Sequence, residues 1–213
     1  MEKLDFKKAD KTLYAPGIKP ELVDVPEMLF IQVAGTGNPN TSPAYKSALE
    51  ILYGLSYTIK MSKMDGSQPA GYFEYVVPPL EGLWWTPDGG AVDYTRKEEF
   101  CWISMIRQPD FVTESVLERA KEKLGRKKPE LDFSGTRLVR WTEGFCAQVM
   151  HRGPYDDEPA TLERLEAFVA ASGCVPDYTA MRRHHEIYLG DPRKTAPEKL
   201  KTVLRIPVAR LNE

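Results

Sequence analysis

Hydrophobic positions along this chain fall into short blocks whose spacing alternates between continuous runs and helical stripes. Residues 28–34, MLFIQVA, are almost unbroken apolar sequence and predict a buried strand. A polar loop, GTGNPNTSP, follows. Ser42-Pro43 then opens a helix, with Ser as N-cap and Pro at the first helical position. In that helix Ala48, Ile51, Leu52 and Leu55 share one face. Residues 71–85, GYFEYVVPPLEGLWW, read as a strand that ends at Pro78-Pro79, and TPDGG is a turn. Residues 100–108, FCWISMIRQ, predict another strand, and 113–124 a helix with Val116, Leu117, Ala120 and Leu124 on its apolar stripe. Residues 1–24 are polar and punctuated by proline. They read as an arm or an irregular lead-in strand, too short for a helix-turn-helix DNA reader.

The second half runs in the same order. Residues 136–141 and 145–151 predict two strands, separated from a helix by the loop GPYDDEP. The helix from Pro159 places Leu162, Leu165, Phe168 and Val169 together. HHEIYLGDP reads as a strand that stops at Gly190, and VLRIPVARL as the last strand. Displacing the first half by 116 positions superposes Gln32-Val33 on Gln148-Val149, Gly37 on Gly153, Pro43-Ala44 on Pro159-Ala160 and Leu49-Glu50 on Leu165-Glu166. A displacement of 112 puts Glu74 on Glu186. The expectation is an α+β fold of two pseudo-symmetric strand–helix–strand–strand modules, about 22–125 and 136–213. They would form a curved antiparallel sheet with helices on one side and a ligand groove on the other. Neither half covers its apolar surface alone, so residues 1–213 are expected to form a single domain.

Strand alternation then sorts the polar residues by face. Taking the apolar set of each strand as helix-facing leaves His184, Glu186 and Tyr188 on the groove side of 184–189. Tyr72 and Glu74 take that side of 72–77, Trp102 and Ser104 that side of 101–106, and Arg205 that side of 203–208. The predicted groove is an aromatic box with carboxylates at its floor. A carboxylate ringed by aromatics binds a lipophilic cation by charge pairing and cation–π attraction. The same carboxylate, its pKa raised by desolvation, serves as a general acid or base. A planar ligand stacks on the rings in either case.

Composition narrows the alternatives. Hydrophobic residues make up 42% and charged residues 28%, ordinary for a globular domain. With 29 basic and 31 acidic residues the formal net charge is −2, so no global field favours nucleic acid. No apolar run reaches membrane-spanning length, and MEKLDFKKADKTLY lacks the apolar core of a signal peptide, so a cytoplasmic address is expected. Cys101, Cys146 and Cys174 are far apart and read as reduced. His184 and His185 point to opposite strand faces and cannot chelate one ion, so neither a metal nor any other cofactor is expected. Glycine motifs for phosphate are missing: GTG at 35–37 lacks the P-loop pattern and its lysine.

HRGPYDDEPATLERL (151–165) followed by RRHHEIYLGDPRKTAPEKLKTVLRIPV (182–208) resembles the GyrI-like small-molecule-binding family. YVVPPLEGLWW (75–85) resembles its stand-alone subgroup rather than the transcription factors that carry the domain. The resemblance covers roughly residues 20–210 and implies two strand–helix–strand–strand modules around a central groove. In the drug-sensing members a groove glutamate meets cationic compounds, and Glu186 of the HEIYL motif matches it. Gyrase-inhibitory members protect gyrase. Stand-alone members resembling this chain are cyclopropanoid cyclopropyl hydrolases, which add water across the strained cyclopropane of DNA-alkylating compounds. That resemblance casts Glu186 as the water-activating carboxylate. Chemistry then suggests Tyr155 and Tyr57 as phenol donors, Trp85 and Trp102 as stacking walls, and Glu74 as a second acid or passive neighbour, with His184, Tyr188 and Arg205 lining the groove. The expected partner is a planar hydrophobic or cationic small molecule, with no direct nucleic-acid or membrane contact, on a monomer or weak homodimer. A non-catalytic drug sensor or sequestering module, and less readily a gyrase-protecting protein, are the competing functions.

Overall fold

The computed structural model describes residues 3–90 and 92–211. Two single-turn helices, α1 (Phe6–Ala9) and α2 (Lys11–Tyr14), form the N-terminal arm. The remaining elements are β1 (Glu21–Thr36), α3 (Pro43–Lys60), β2 (Leu80–Trp85), β3 (Cys101–Gln108), α4 (Glu114–Gly125), β4 (Thr136–Arg152), α5 (Glu158–Ala171), β5 (Cys174–Pro176), β6 (His184–Tyr188) and β7 (Lys201–Arg210). The fold is α+β. All strand pairs are antiparallel, in the order β4-β1-β3-β2-β6-β7-β5. A further β4–β7 pairing, Cys146 opposite Pro207 through Arg152 opposite Lys201, closes the sheet into a barrel with β5 appended at the end of β7.

The helices form where the sequence pattern places them. Ser42 caps α3 by accepting from the Tyr45 amide at 3.3 Å, with Pro43 at its start. Thr113 caps α4 through the Val116 amide. Leu52, Leu55, Val116, Leu117 and Leu124 bury against Leu29, Ile31 and Ile106 on the outside of β1 and β3. Leu165 and Val169 of α5 do the same against Val149, Leu204 and Ile206 of β4 and β7. The other sheet face lines the barrel interior, where Phe30, Leu83, Met105, Ile187 and Val203 pack with Leu13 and Tyr14 of the arm.

Three predicted boundaries change. The strand expected across 71–79 is absent: Tyr75 makes one bridge, to Leu4, and β2 begins after the two prolines, at Leu80. Pro lacks the amide a ladder needs, so the pair precedes the strand instead of ending it. Residues 136–141 and 145–151 belong to one strand, β4, which passes through Gly144 at φ 74°. The arm is helical rather than extended up to Tyr14.

The larger correction concerns the faces. Both surfaces of the sheet are buried, one under helices and one inside the barrel. An apolar alternation therefore does not mark the helix side. His185, Ile187, Ile103 and Met105 point into the barrel, whereas Glu186, Tyr188 and Trp102 lie on the outer, helix-bearing surface. The groove that carries Glu186 is consequently on the same side as the helices, and Arg205 is on the other.

Gly35 of β1 illustrates how tightly the outer surface is packed. A Cβ built there would lie 2.4 Å from the Trp102 ring. Gly35→Ala is therefore expected to displace Trp102 and to destabilise the protein by about 1–3 kcal/mol, the usual range for overpacking. Urea unfolding of the pair of proteins measures it. An unchanged midpoint would mean that the ring has room to yield.

Candidate active-site groove

The outer surface between α3 and α5 holds a groove of about 1310 Å³. Its walls include Tyr45, Tyr53 and Tyr57 of α3, Trp84 of β2, Tyr94 and Phe100 of the β2–β3 connection, and Tyr155 before α5. Glu158, Glu186 and Tyr188 supply its acidic and phenolic groups.

Each element delivers its residue for a local reason. In β6 the alternation sends Glu186 and Tyr188 outward together. Gly82 of β2 pairs with Glu186, and a Cβ on it would come within 2.6 Å of the Trp84 indole nitrogen. The missing side chain lets Trp84 fold over its own strand and donate from Nε1 to the Tyr188 hydroxyl at 2.9 Å. Tyr188 donates in turn to Glu186 Oε2 at 2.7 Å. His184 meets Glu186 Oε1 through Nε2 at 3.1 Å. Tyr45 lies edge-on to Trp102 at 5.1 Å and tilted against Trp84 at 5.6 Å. Trp102 itself is 1% exposed and props the box from behind.

Tyr94 comes from an irregular connection pinned at several points. Asp93 caps its turn, Lys97 pairs with Asp156 at 2.7 Å, and Asn38 donates to Glu98 at 2.8 Å. The Tyr94 hydroxyl thereby reaches Glu186 Oε1 at 3.1 Å and Glu158 Oε2 at 3.3 Å. Glu158, the first residue of α5, is 1% exposed, and its Oε1 has no hydrogen-bond partner.

The two carboxyl groups are pushed in opposite directions. Burial raises Glu158 well above the usual carboxylate range, and the neighbouring Glu186 charge raises it further. Burial also acts on Glu186, but hydrogen bonding from His184, Tyr188 and Tyr94 outweighs it and holds Glu186 below the usual range. Hydrogen-bond counting requires that one of the two be protonated, and the opposite displacements say which. A phenol has one proton to donate, so Tyr94 satisfies both carboxyl groups only if one of them donates to it. Glu158 is then the acid and Glu186 the carboxylate. Burial and the two glutamates also push the Tyr155 phenol up to about 12, which keeps it a donor.

Of the residues singled out from the sequence, the groove brings together Glu186, Tyr188, Tyr155 and Tyr57, with His184 behind Glu186. Tyr57 is on the rim and half exposed. Trp85 points to the other sheet face, where Arg183 stacks on it at 4.9 Å. Glu74 lies away from the groove, paired with Lys63. Arg205 is fully buried in the barrel, where it donates to Glu143 at 2.8 Å. Groove residues that were not singled out include Tyr94, Glu158, Trp84 and Tyr45. Glu158 had a signal available: it is the only acid of the GPYDDEP loop carried into the helix start, one turn before buried Thr161 and two before Leu165. Tyr94 had none, because it comes from a connection without periodicity.

Residues 18–209 match the GyrI-like small molecule binding domain. The chain belongs to the GyrI-like family. Among solved structures, this GyrI-like domain is similar to an uncharacterized conserved protein from Listeria innocua, with 50% identity and a TM-score of 0.92 over 97% of this chain and 100% of that one. It is also similar to a Listeria innocua protein named a hydrolase, with 48% identity and a TM-score of 0.88 over 97% and 100% of the two chains. The C-terminal domain of EcmrR shares the fold at 12% identity, with a TM-score of 0.54 over 91% and 98%. No curated protein matches the GyrI-like chain. Among its described residues no helix is long and apolar enough to cross a membrane.

Proposed function

We propose that this protein is a hydrolase that binds planar, lipophilic electrophiles in the groove and opens them with water, the cyclopropane of cyclopropanoid DNA-alkylating compounds being the substrate class. The observation that carries this reading is Glu186 at the floor of an aromatic-walled groove, bonded to Tyr188, Tyr94 and His184, which hold it below the usual carboxylate range. The similarity, close to half identical, to a bacterial protein named a hydrolase supports it.

The chemistry is short. A spirocyclopropane conjugated to a dienone is attacked by water at its ring CH₂. The C–C bond breaks toward the ring system, and the dienone oxygen becomes a phenolate. Glu186 takes the proton of the attacking water, and the phenolate is protonated to a phenol. Tyr155 or Tyr57 at the groove wall donates to that oxygen as charge develops. Trp84, Tyr45 and Tyr188 hold the plane of the substrate against Glu186. The order β1-α3-β2-β3, repeated as β4-α5-β6-β7 with the short β5 inserted after α5, supports a pseudo-two-fold origin for the groove, which would then open near the β2–β6 contact.

The ionised Glu186 within tyrosine and tryptophan rings also suits a lipophilic cation, and a non-catalytic drug sensor is the second reading. A turnover assay on a spirocyclopropyl dienone with mass spectrometry, beside a titration of tryptophan fluorescence, separates them. The expected result is quenching together with a water adduct at many turnovers. Quenching without adduct would leave the sensor.

A further inference from the structure

The hydrolytic reading uses Glu186 and leaves Glu158 and Tyr94 without a task. Glu158 is an acid buried at the groove wall, with one oxygen on Tyr94 and the other buried beside Thr202 of β7. Opening a dienone-conjugated cyclopropane does not need it, because the electrons leave toward a distant carbonyl. A strained ring whose leaving atom is the ring oxygen itself does need a proton donor beside the attacked carbon.

We propose that the groove also hydrolyses epoxides of planar polycyclic arenes to diols, with Glu158 as the acid on the ring oxygen, Glu186 as the base for water, and Tyr94 as the bridge between them. It rests on the reading of the groove as a hydrolytic site. The oxygen of water bonds to one epoxide carbon while that carbon's own bond to the ring oxygen breaks. The proton of water goes to Glu186 and the proton of Glu158 to the departing ring oxygen. That leaves a diol, a protonated Glu186 and an ionised Glu158. Tyr94 contacts both carboxyl groups, at 3.1 and 3.3 Å. It accepts the proton from Glu186 while giving its own to Glu158, which restores the starting state with no other reactant. The opposite displacements of the two glutamates agree with these starting states. The ring of an arene oxide meets the same aromatic walls as any other flat ligand.

The probe is phenanthrene 9,10-oxide in H₂¹⁸O, run beside the spirocyclopropyl dienone on the same preparation. The expected product is the 9,10-diol carrying one ¹⁸O, at many turnovers, with the rate falling on the alkaline side as Glu158 loses its proton. Glu158→Gln is expected to lower diol formation at least 100-fold. Quenching by phenanthrene shows whether that variant keeps its groove, and the wild-type pH profile tests Glu158 if it does not. Tyr94→Phe is expected to slow steady-state turnover more than the first turnover. Dienone opening with no diol above the spontaneous rate would overturn the epoxide activity and leave the hydrolase reading standing. Diol without dienone opening would support it and discard the dienone as substrate, and activity on neither would discard both. Phenanthrol instead of diol, ¹⁸O in a protein carboxylate, or a fully active, folded Glu158→Gln protein would each overturn the assignment.

Discussion

Glu186→Gln is expected to lower kcat on a spirocyclopropyl dienone by about 10³-fold while leaving the affinity for a flat, unreactive analogue within a few-fold. The amide keeps the size of the carboxylate and can still accept from Tyr188, which approaches at 2.7 Å, so the groove is preserved. It cannot take a proton from water, so only the chemical step is lost. Steady-state kinetics with fluorescence titration separates the two quantities, and a loss confined to KM would make Glu186 a binding group. The pH profile is a second readout. Because Glu186 is held below the ordinary carboxylate range, its base form persists as the pH falls. The acid limb of kcat/KM should therefore lie below pH 4.5, the ordinary glutamate value. A limb above pH 5 would assign the base to another group.

What the sequence disclosed of this site follows from where periodicity exists. The HHEIYL alternation puts His184, Glu186 and Tyr188 on one face, and they are on one face. The helical stripes of α3 and α4 are legible because each has a single apolar side. The side of the sheet on which Glu186 lies was not legible. Ile187 and Leu204 are equally apolar, yet one fills the barrel and the other lies under α5. Closure of the sheet depends on the β4–β7 pairing between distant segments, which leaves no local mark. Trp84 and Trp85 are adjacent and identical in type, and only the register of β2 against β6 decides which of them meets Tyr188.

The barrel interior holds a second polar cluster whose loss should reach the whole fold. His185 lies between two carboxylates, Glu143 at 3.0 Å from Nδ1 and Glu81 at 3.0 Å from Nε2. Arg205 donates to Glu143, to Gln148 and to the Leu13 carbonyl of the arm, and Tyr14 donates to Glu81 at 3.0 Å. Arg205, Glu143, His185 and Glu81 are at most 1% exposed. Removing one member of such a set leaves charge buried without its partner, and Arg205→Ala also opens a cavity and frees the arm. The expected cost is about 3–5 kcal/mol, a fall in Tm of about 6–20 °C. Calorimetry measures it, and a change under about 1 kcal/mol would mean that water enters the barrel and solvates the remaining charges.

The same cluster sets the shape of stability against pH. Burial pulls His185 down, but Glu143 and Glu81 prevail and raise it from 6.5 to about 9. Its contribution is complete below pH 6.5 and is lost as the pH rises through about 9. Burial pushes Glu143 up, but His185 and Arg205 pull it from 4.5 to about 2. Its contribution is complete above pH 4.5 and is lost as the pH falls through about 2. The two describe one set of interactions from either end, so they set the limits of a single plateau and do not add. The cluster's own contribution is expected to be flattest between pH 4.5 and 6.5, and the burial-raised Glu158 superimposes on it a loss of stability as the pH rises above 4.5. In a folded variant lacking Arg205 the acid edge should move upward, because Glu143 then loses one of the two cations that hold it ionised.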